Sequence, residues 1–200
     1  MAKILEILTY PDARLREISE PVTRFDDKLK AFAENLTETM YHARGIGLAA
    51  PQVGELKRMV VIDTRPRDEK GRRYKYEEMS ELEQKVEQPL ILINPVVESG
   101  EGKTTFDEGC LSVPGYYETV ERFQKIVMKA QDLKGNVIRI ETDGLLAICM
   151  QHELDHLDGK LFIDRLSFLK GKKIKDQIKK LGYPAKKEEA DDESEETCDV

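Results

Sequence analysis

Cysteine is scarce in this chain and odd in number, three in 200 residues at positions 110, 149 and 198. Such a set cannot build a disulfide framework and fits a reducing compartment. Long apolar runs are missing as well. No stretch approaches the roughly 18 apolar residues of a membrane span, and the start MAKILEILTYPDARL lacks the charged-then-apolar layout of a signal peptide. The chain is therefore expected in the cytoplasm, with no membrane partner. Charge, in contrast, is plentiful: 36% of residues are Asp, Glu, Lys or Arg, while 40% are apolar, with 13 Gly and 8 Pro. That balance excludes a collagenous or wholly disordered chain. The net charge of −7 is concentrated at the end, where Glu188 to Val200 hold eight acidic residues and no basic ones, leaving residues 1–187 at about +1. A near-neutral body argues neither for nor against nucleic acid in general, and no sequence-specific nucleic-acid partner is expected. The length suits one core. We expect a single domain over residues 1–183, followed by an acidic, solvated tail over 184–200.

Asp26 or Asp27 can cap a helix in which Leu29, Phe32, Ala33, Leu36 and Met40 recur at three- and four-residue spacing up to about Ala43. Strands are expected at 58–63, 90–94, 125–130 and 136–140, the last two joined by a turn around Gly135. Their short, local connections imply antiparallel pairing. Between the first two strands, Arg65 to Gln88 is almost wholly polar, with Met79, Leu82 and Val86 spaced apart; it reads as an exposed, partly helical insertion. Thr142 and Asp143 stand where a cap belongs, ahead of a helix that is apolar nearly all round and ends at Gly159. A last helix, about Ser167 to Leu181, carries six lysines between 170 and 180 beside an apolar stripe of Phe168, Leu169, Ile174, Ile178 and Leu181 that is expected to dock.

His152-Glu153-Leu154-Asp155-His156 is an H-E-x-x-H segment on the buried helix. The i, i+4 spacing puts both imidazoles on one face, where they can share a metal ion, and Glu153 beside them can handle protons for a bound water. A hydrolytic site needs a third protein ligand and an open position. Residues 152–162 nearly match the H-E-x-x-H-x-x-G-x-x-H pattern, but Phe162 stands where the last His would be, so that reading fails. The remaining histidine, His42, falls on the exposed end of the first helix. Cys110 is the better candidate, because Gly109 and Pro114 impose a sharp path on its segment. Gly45-Ile46-Gly47-Leu48-Ala49-Ala50-Pro51-Gln52 fits a dinucleotide-loop pattern, yet it follows a helix and leads into a strand, the wrong context for one. Its glycines better suit close backbone approach of an extended ligand, with Gln52 offering an amide donor to a developing oxyanion.

Three segments together, GIGLAAPQ at 45–52, EGCLSVP at 108–114 and QHELDHLDG at 151–159, resemble the peptide deformylases, and the likeness runs from Tyr10 through Leu166. The resemblance implies Cys110, His152 and His156 as metal ligands, Glu153 as the acid/base, and Gln52 with the Leu111 backbone N–H as oxyanion donors. It places Ile46, Gly47 and Gly109 beside the bound peptide backbone and pairs Glu108 with Arg122. It further implies removal of formyl from the N-terminal methionine of newly made proteins, usually with Fe(II), and docking of the lysine-rich last helix on the ribosome. Zn, Ni and Co suit the same donors. Leu145, Ile148 and Cys149 share a helical face with His152 and can wall an apolar pocket for the methionine side chain.

The expected fold is α+β, with antiparallel strands wrapped around the metal-binding helix and the C-terminal helix packed outside. The expected function is metal-dependent hydrolysis of N-formylmethionyl nascent peptides, releasing formate. A general metalloprotease and a metal-stabilised binding module are the rival classes; the position of Glu153 argues against the second.

Overall fold

A computed structural model of the chain describes residues 2–66 and 79–183. The acidic tail and residues 67–78 of the expected insertion lie outside the described residues.

The chain begins with a 3₁₀ turn at Ala13–Arg16, then α1 (Asp27–His42), whose first turn is capped by Asp26 accepting from Leu29 N–H at 3.0 Å. Strand β1 (Gly47–Ala49) leads through a 3₁₀ turn at Ala50–Val53 into β2 (Met59–Ile62). A short helix α2 (Glu81–Lys85) precedes β3 (Leu90–Glu101), β4 (Thr104–Glu108) and β5 (Glu118–Arg122). The chain ends with β6 (Lys125–Gln131), β7 (Val137–Asp143), α3 (Gly144–Leu157), a 3₁₀ turn at Phe162–Asp164 and α4 (Phe168–Leu181).

The sheet runs β1-β2-β3-β6-β7, antiparallel throughout, and β4 pairs with β5 as a separate hairpin. Alternation along β2 decides what covers each face. Val60 and Ile62 join Leu92, Met128 and the α3 residues Leu146, Ala147 and Met150, whereas Met59 and Val61 join Leu29, Ala33, Leu36 and Met40 of α1. Both faces are thus covered, and a strand with helices on two sides must be apolar at every position, as Met59–Ile62 is. A third cluster lies beneath the Cys110 turn, where Ile174 and Ile178 of α4 meet Cys110, Val113, Val120 and Phe162.

The structure alters three expectations. The C-terminal end of the 65–88 segment is built into the fold: Glu83 is buried, and Gln88 accepts from Thr64 N–H at 2.7 Å. Capping of α3 also differs. Asp143 occupies the cap position without a side-chain cap bond, and Thr142 is a buried β7 residue. Glu83 acts instead, with Oε1 accepting from Leu146 N–H at 2.9 Å and Oε2 from Ser80 N–H at 2.9 Å. Gly144 leaves the space for it, since a Cβ there would lie 2.6 Å from the Glu83 carboxyl carbon. On α4, only Ile174, Ile178 and Gly171 are buried; Phe168, Leu169 and Leu181 are about four-fifths exposed, because the docked stripe is narrower than the apolar positions suggest.

Candidate metal centre

Three elements converge on one buried point. α3 presents His152 and His156 from its inner face, and the turn after β4 brings Cys110 over them. The Cys110 Sγ lies 3.2 Å from His156 Nε2, which lies 3.2 Å from His152 Nε2, and all three donors fall within 4.8 Å of one another. A tetrahedral ion with bonds of about 2.0–2.3 Å would separate its ligand atoms by roughly 3.3–3.6 Å, so this donor set fits one metal ion. Burial, reinforced by His152, lowers the His156 pKa well below its usual value, which keeps the imidazole neutral and able to ligate.

The His152 imidazole is fixed from behind. His152 Nδ1 meets Glu108 Oε2 at 2.9 Å, leaving Nε2 to face the centre. Arg122 grips Glu108 through Nε at 2.7 Å and Nη2 at 2.8 Å, and its Nη1 donates to Asp155 at 2.6 Å. Burial alone would raise the Glu108 pKa, but the bonds from Arg122 and His152 outweigh it and hold it down at about 2. Phe162, at the position a third histidine would need, stacks on the His152 ring with centroids 6.4 Å apart.

Among the described residues, Glu153 stands unpaired in this interior, as does His156 Nδ1. Both carboxyl oxygens are buried with no hydrogen-bond partner among the described residues. Burial, followed by the neighbouring Glu108 charge, pushes its pKa well above the usual carboxylate range. A carboxyl held in that condition is suited to exchanging protons near neutral pH. Gly47 comes right against it: a Cβ on Gly47 would lie 2.3 Å from Glu153 Oε1 and 2.8 Å from Cys149 Sγ. Gln52 is held by Ala49 N–H donating to its Oε1 at 2.7 Å, which turns the amide Nε2 toward Ser112 Oγ at 3.2 Å and Cys110 Sγ at 3.7 Å.

The structure therefore brings together Cys110, His152, Glu153, His156, Gln52, Gly47 and Cys149. Ile46 is buried beside them, its carbonyl accepting from Cys149 Sγ at 3.8 Å, while Gly109 and Leu111 flank Cys110 in the turn. Ile148 and Leu145 lie one and two turns before His152 on α3, the first buried and the second partly exposed. His42 is exposed at the end of α1, as expected. Two participants escaped sequence reasoning. Ser112 contacts both Cys110 and Gln52, and Asp155 anchors Arg122 and Arg165. Both lie inside the quoted segments, at positions to which the spacing gives no role; the signal for Asp155 is an acid inside an otherwise buried helix.

A buried Cys-His-His donor set with an adjacent unpaired glutamate on an α+β scaffold defines a metal-dependent hydrolase. Comparison with known proteins carries this further. The profile of the family described as Polypeptide deformylase matches residues 4–172. A peptide deformylase of Alkalilimnicola ehrlichii is 49% identical over 89% of this chain and 90% of its own length. That of Cellvibrio japonicus is 46% identical over 88% and 95%. Among solved structures, a peptide deformylase from Legionella pneumophila superposes with a TM-score of 0.73 at 42% identity, covering 89% of this chain and 96% of that one. The Ehrlichia chaffeensis enzyme in complex with actinonin gives 0.76 at 37% identity, over 89% and 97%. The chain belongs to the polypeptide deformylase family, metal-dependent hydrolases that remove the N-formyl group from nascent peptides.

Proposed function

We propose that residues 1–183 form one catalytic domain in which Cys110, His152 and His156 hold a single divalent ion and Glu153 carries the proton transfers of deformylation. The observation that supports this most is the buried, unpaired Glu153 carboxyl beside three converging donors, with Gly47 in contact with it. A divalent ion bound there supplies a Lewis acid that makes water acidic near neutral pH. Glu153 accepts the proton of the attacking water and returns it to the departing amine. Gln52 Nε2 and the Leu111 N–H donate to the oxyanion that develops on the formyl group.

The peptide backbone approaches along β1. Among the described residues that strand pairs only with β2, which leaves its other edge at Gly47 for an added strand beside Ile46 and Gly109. Leu145, Ile148 and Cys149 wall the methionine side chain. Fe(II) is the working ion we assign, with Zn, Ni and Co as substitutes, since thiolate and imidazole suit all four. The enzyme acts in the cytoplasm on N-formylmethionyl nascent chains and docks on the ribosome through α4. Lys172, Lys173, Lys179 and Lys180 support that docking, being exposed and without ion pairs among the described residues, beside exposed Phe168, Leu169 and Leu181.

Formate release tests the reading. Protein stripped of metal should be inactive, anaerobic Fe(II) should restore cleavage of a formyl-Met peptide, and the acetyl-Met peptide should resist. Cleavage of internal peptide bonds would favour a general metalloprotease instead. Charge reversal of the four lysines should abolish co-sedimentation with ribosomes at low salt.

A further inference from the structure

Tyr183 lies beyond residue 172, where the family profile ends, yet it reaches back to the metal-site turn. It follows α4 after Gly182, whose φ of 72° reverses the chain. Its hydroxyl donates to the Tyr10 carbonyl at 2.5 Å and lies 3.4 Å from the Ser112 carbonyl. Its ring meets Tyr116 edge-on, centroids 6.3 Å apart. Burial raises the pKa of the phenol, which therefore remains a donor.

The residues it holds are the supports of the site. Tyr10 N–H donates to Ser112 O at 2.8 Å and Leu8 N–H to Gln52 O at 2.7 Å, so residues 8–10 tie the Gln52 turn to the Cys110 turn. Ser112 faces inward from the same junction. Its N–H points at Cys110 Sγ at 3.4 Å, and its Oγ accepts from Gln52 Nε2 at 3.2 Å.

We propose that Tyr183 is a positioning residue for deformylation: its hydroxyl latches Tyr10 against Ser112 and thereby sets the orientation of Cys110 and Gln52. The C-terminal helix thus closes the back of the metal centre. The inference rests on the reading of Cys110 as a metal ligand, and the experiment separates the two.

Full-length protein loaded with Co(II) should show a thiolate-to-cobalt charge-transfer band that Cys110→Ser abolishes. Tyr183→Phe keeps the ring and removes only the hydroxyl. Loss of one hydrogen bond in the support should lower kcat about fivefold and speed cobalt release to a chelator by a similar factor. KM should stay within about twofold, because the substrate contacts are untouched. The cobalt band should shift in the same variant. Tyr183→Ala should exaggerate all three effects, and Tyr183→Phe decides the matter if the alanine protein fails to fold. A Tyr183→Phe protein with a lower melting temperature but an unchanged band, release rate and kcat would show a merely structural residue and overturn the latch. A wild-type protein without the band would remove the Cys110 assignment and the latch with it.

Discussion

Arg122 and Glu108 form a two-bond ion pair at 2.7 and 2.8 Å, with side chains 2% and 0% exposed, and Glu108 passes that restraint to His152 Nδ1 at 2.9 Å. Removing the guanidinium would leave a carboxylate buried without its partner. Arg122→Met should cost about 3–5 kcal/mol in urea unfolding of the metal-loaded protein. Arg122→Lys should recover only part of it, since an ammonium cannot make the paired contact.

For Glu153, the expectation is a separation of binding from turnover. Glu153→Gln should retain the metal stoichiometry of the wild type while formate release falls by about 10²–10⁴-fold. Near-normal turnover would remove Glu153 from the proton path.

The cysteines should divide sharply. Cys110→Ser should lose metal during dialysis against a chelator, whereas Cys149→Ser, whose thiol faces the Ile46 carbonyl, should keep it. With Fe(II) bound, peroxide should inactivate the wild type faster than it does the Zn or Ni form; equal rates would argue against ferrous chemistry.

Glu83 is assigned the helix cap. Glu83→Ala should lower stability by about 0.5–2 kcal/mol and speed hydrogen exchange at the Leu146 amide, and Glu83→Gln, which keeps one acceptor of the two, should recover only part of the loss.

Acid sensitivity has a measurable contributor in Asp164, which accepts from Arg16, from Lys175 at 2.6 Å and from Leu161 N–H at 2.9 Å. Burial opposes its ionisation, but those bonds prevail and hold its pKa below the ordinary 3.8. Its stabilisation is then complete above the unfolded value and is lost as pH falls through the folded one. Asp164→Asn should flatten the acid limb of a stability-versus-pH curve below about pH 4 and leave its slope near neutrality unchanged.

The parts legible in the sequence are those written as spacing or punctuation. α1 shows in its apolar period and Asp26 cap, α3 in its length and Gly159 stop, and the donor set in H-E-x-x-H and the Gly109–Pro114 turn. β1, β4 and β5 were not legible. β1 is three residues long, and β5 has only Val120 as a buried apolar residue because its other inward position, Arg122, serves an ion pair. The Glu83 cap could not be read because it joins residues 63 positions apart, which no local pattern encodes. The exposure of Phe168 and Leu169 shows the converse: helical spacing states which residues share a side, not whether anything lies opposite.

The contact between Gly47 and Glu153 bears on how this protein can vary. The backbone position proposed as the rim of the peptide groove is also the wall against the buried carboxyl, with no room there for a methyl group. A side chain at residue 47 would displace Glu153, so under the proposed function substrate preference cannot drift there without disturbing the proton transfer. On the proposed reading, room for diversification lies instead at Leu145 and Ile148, the positions assigned to wall the methionine side chain.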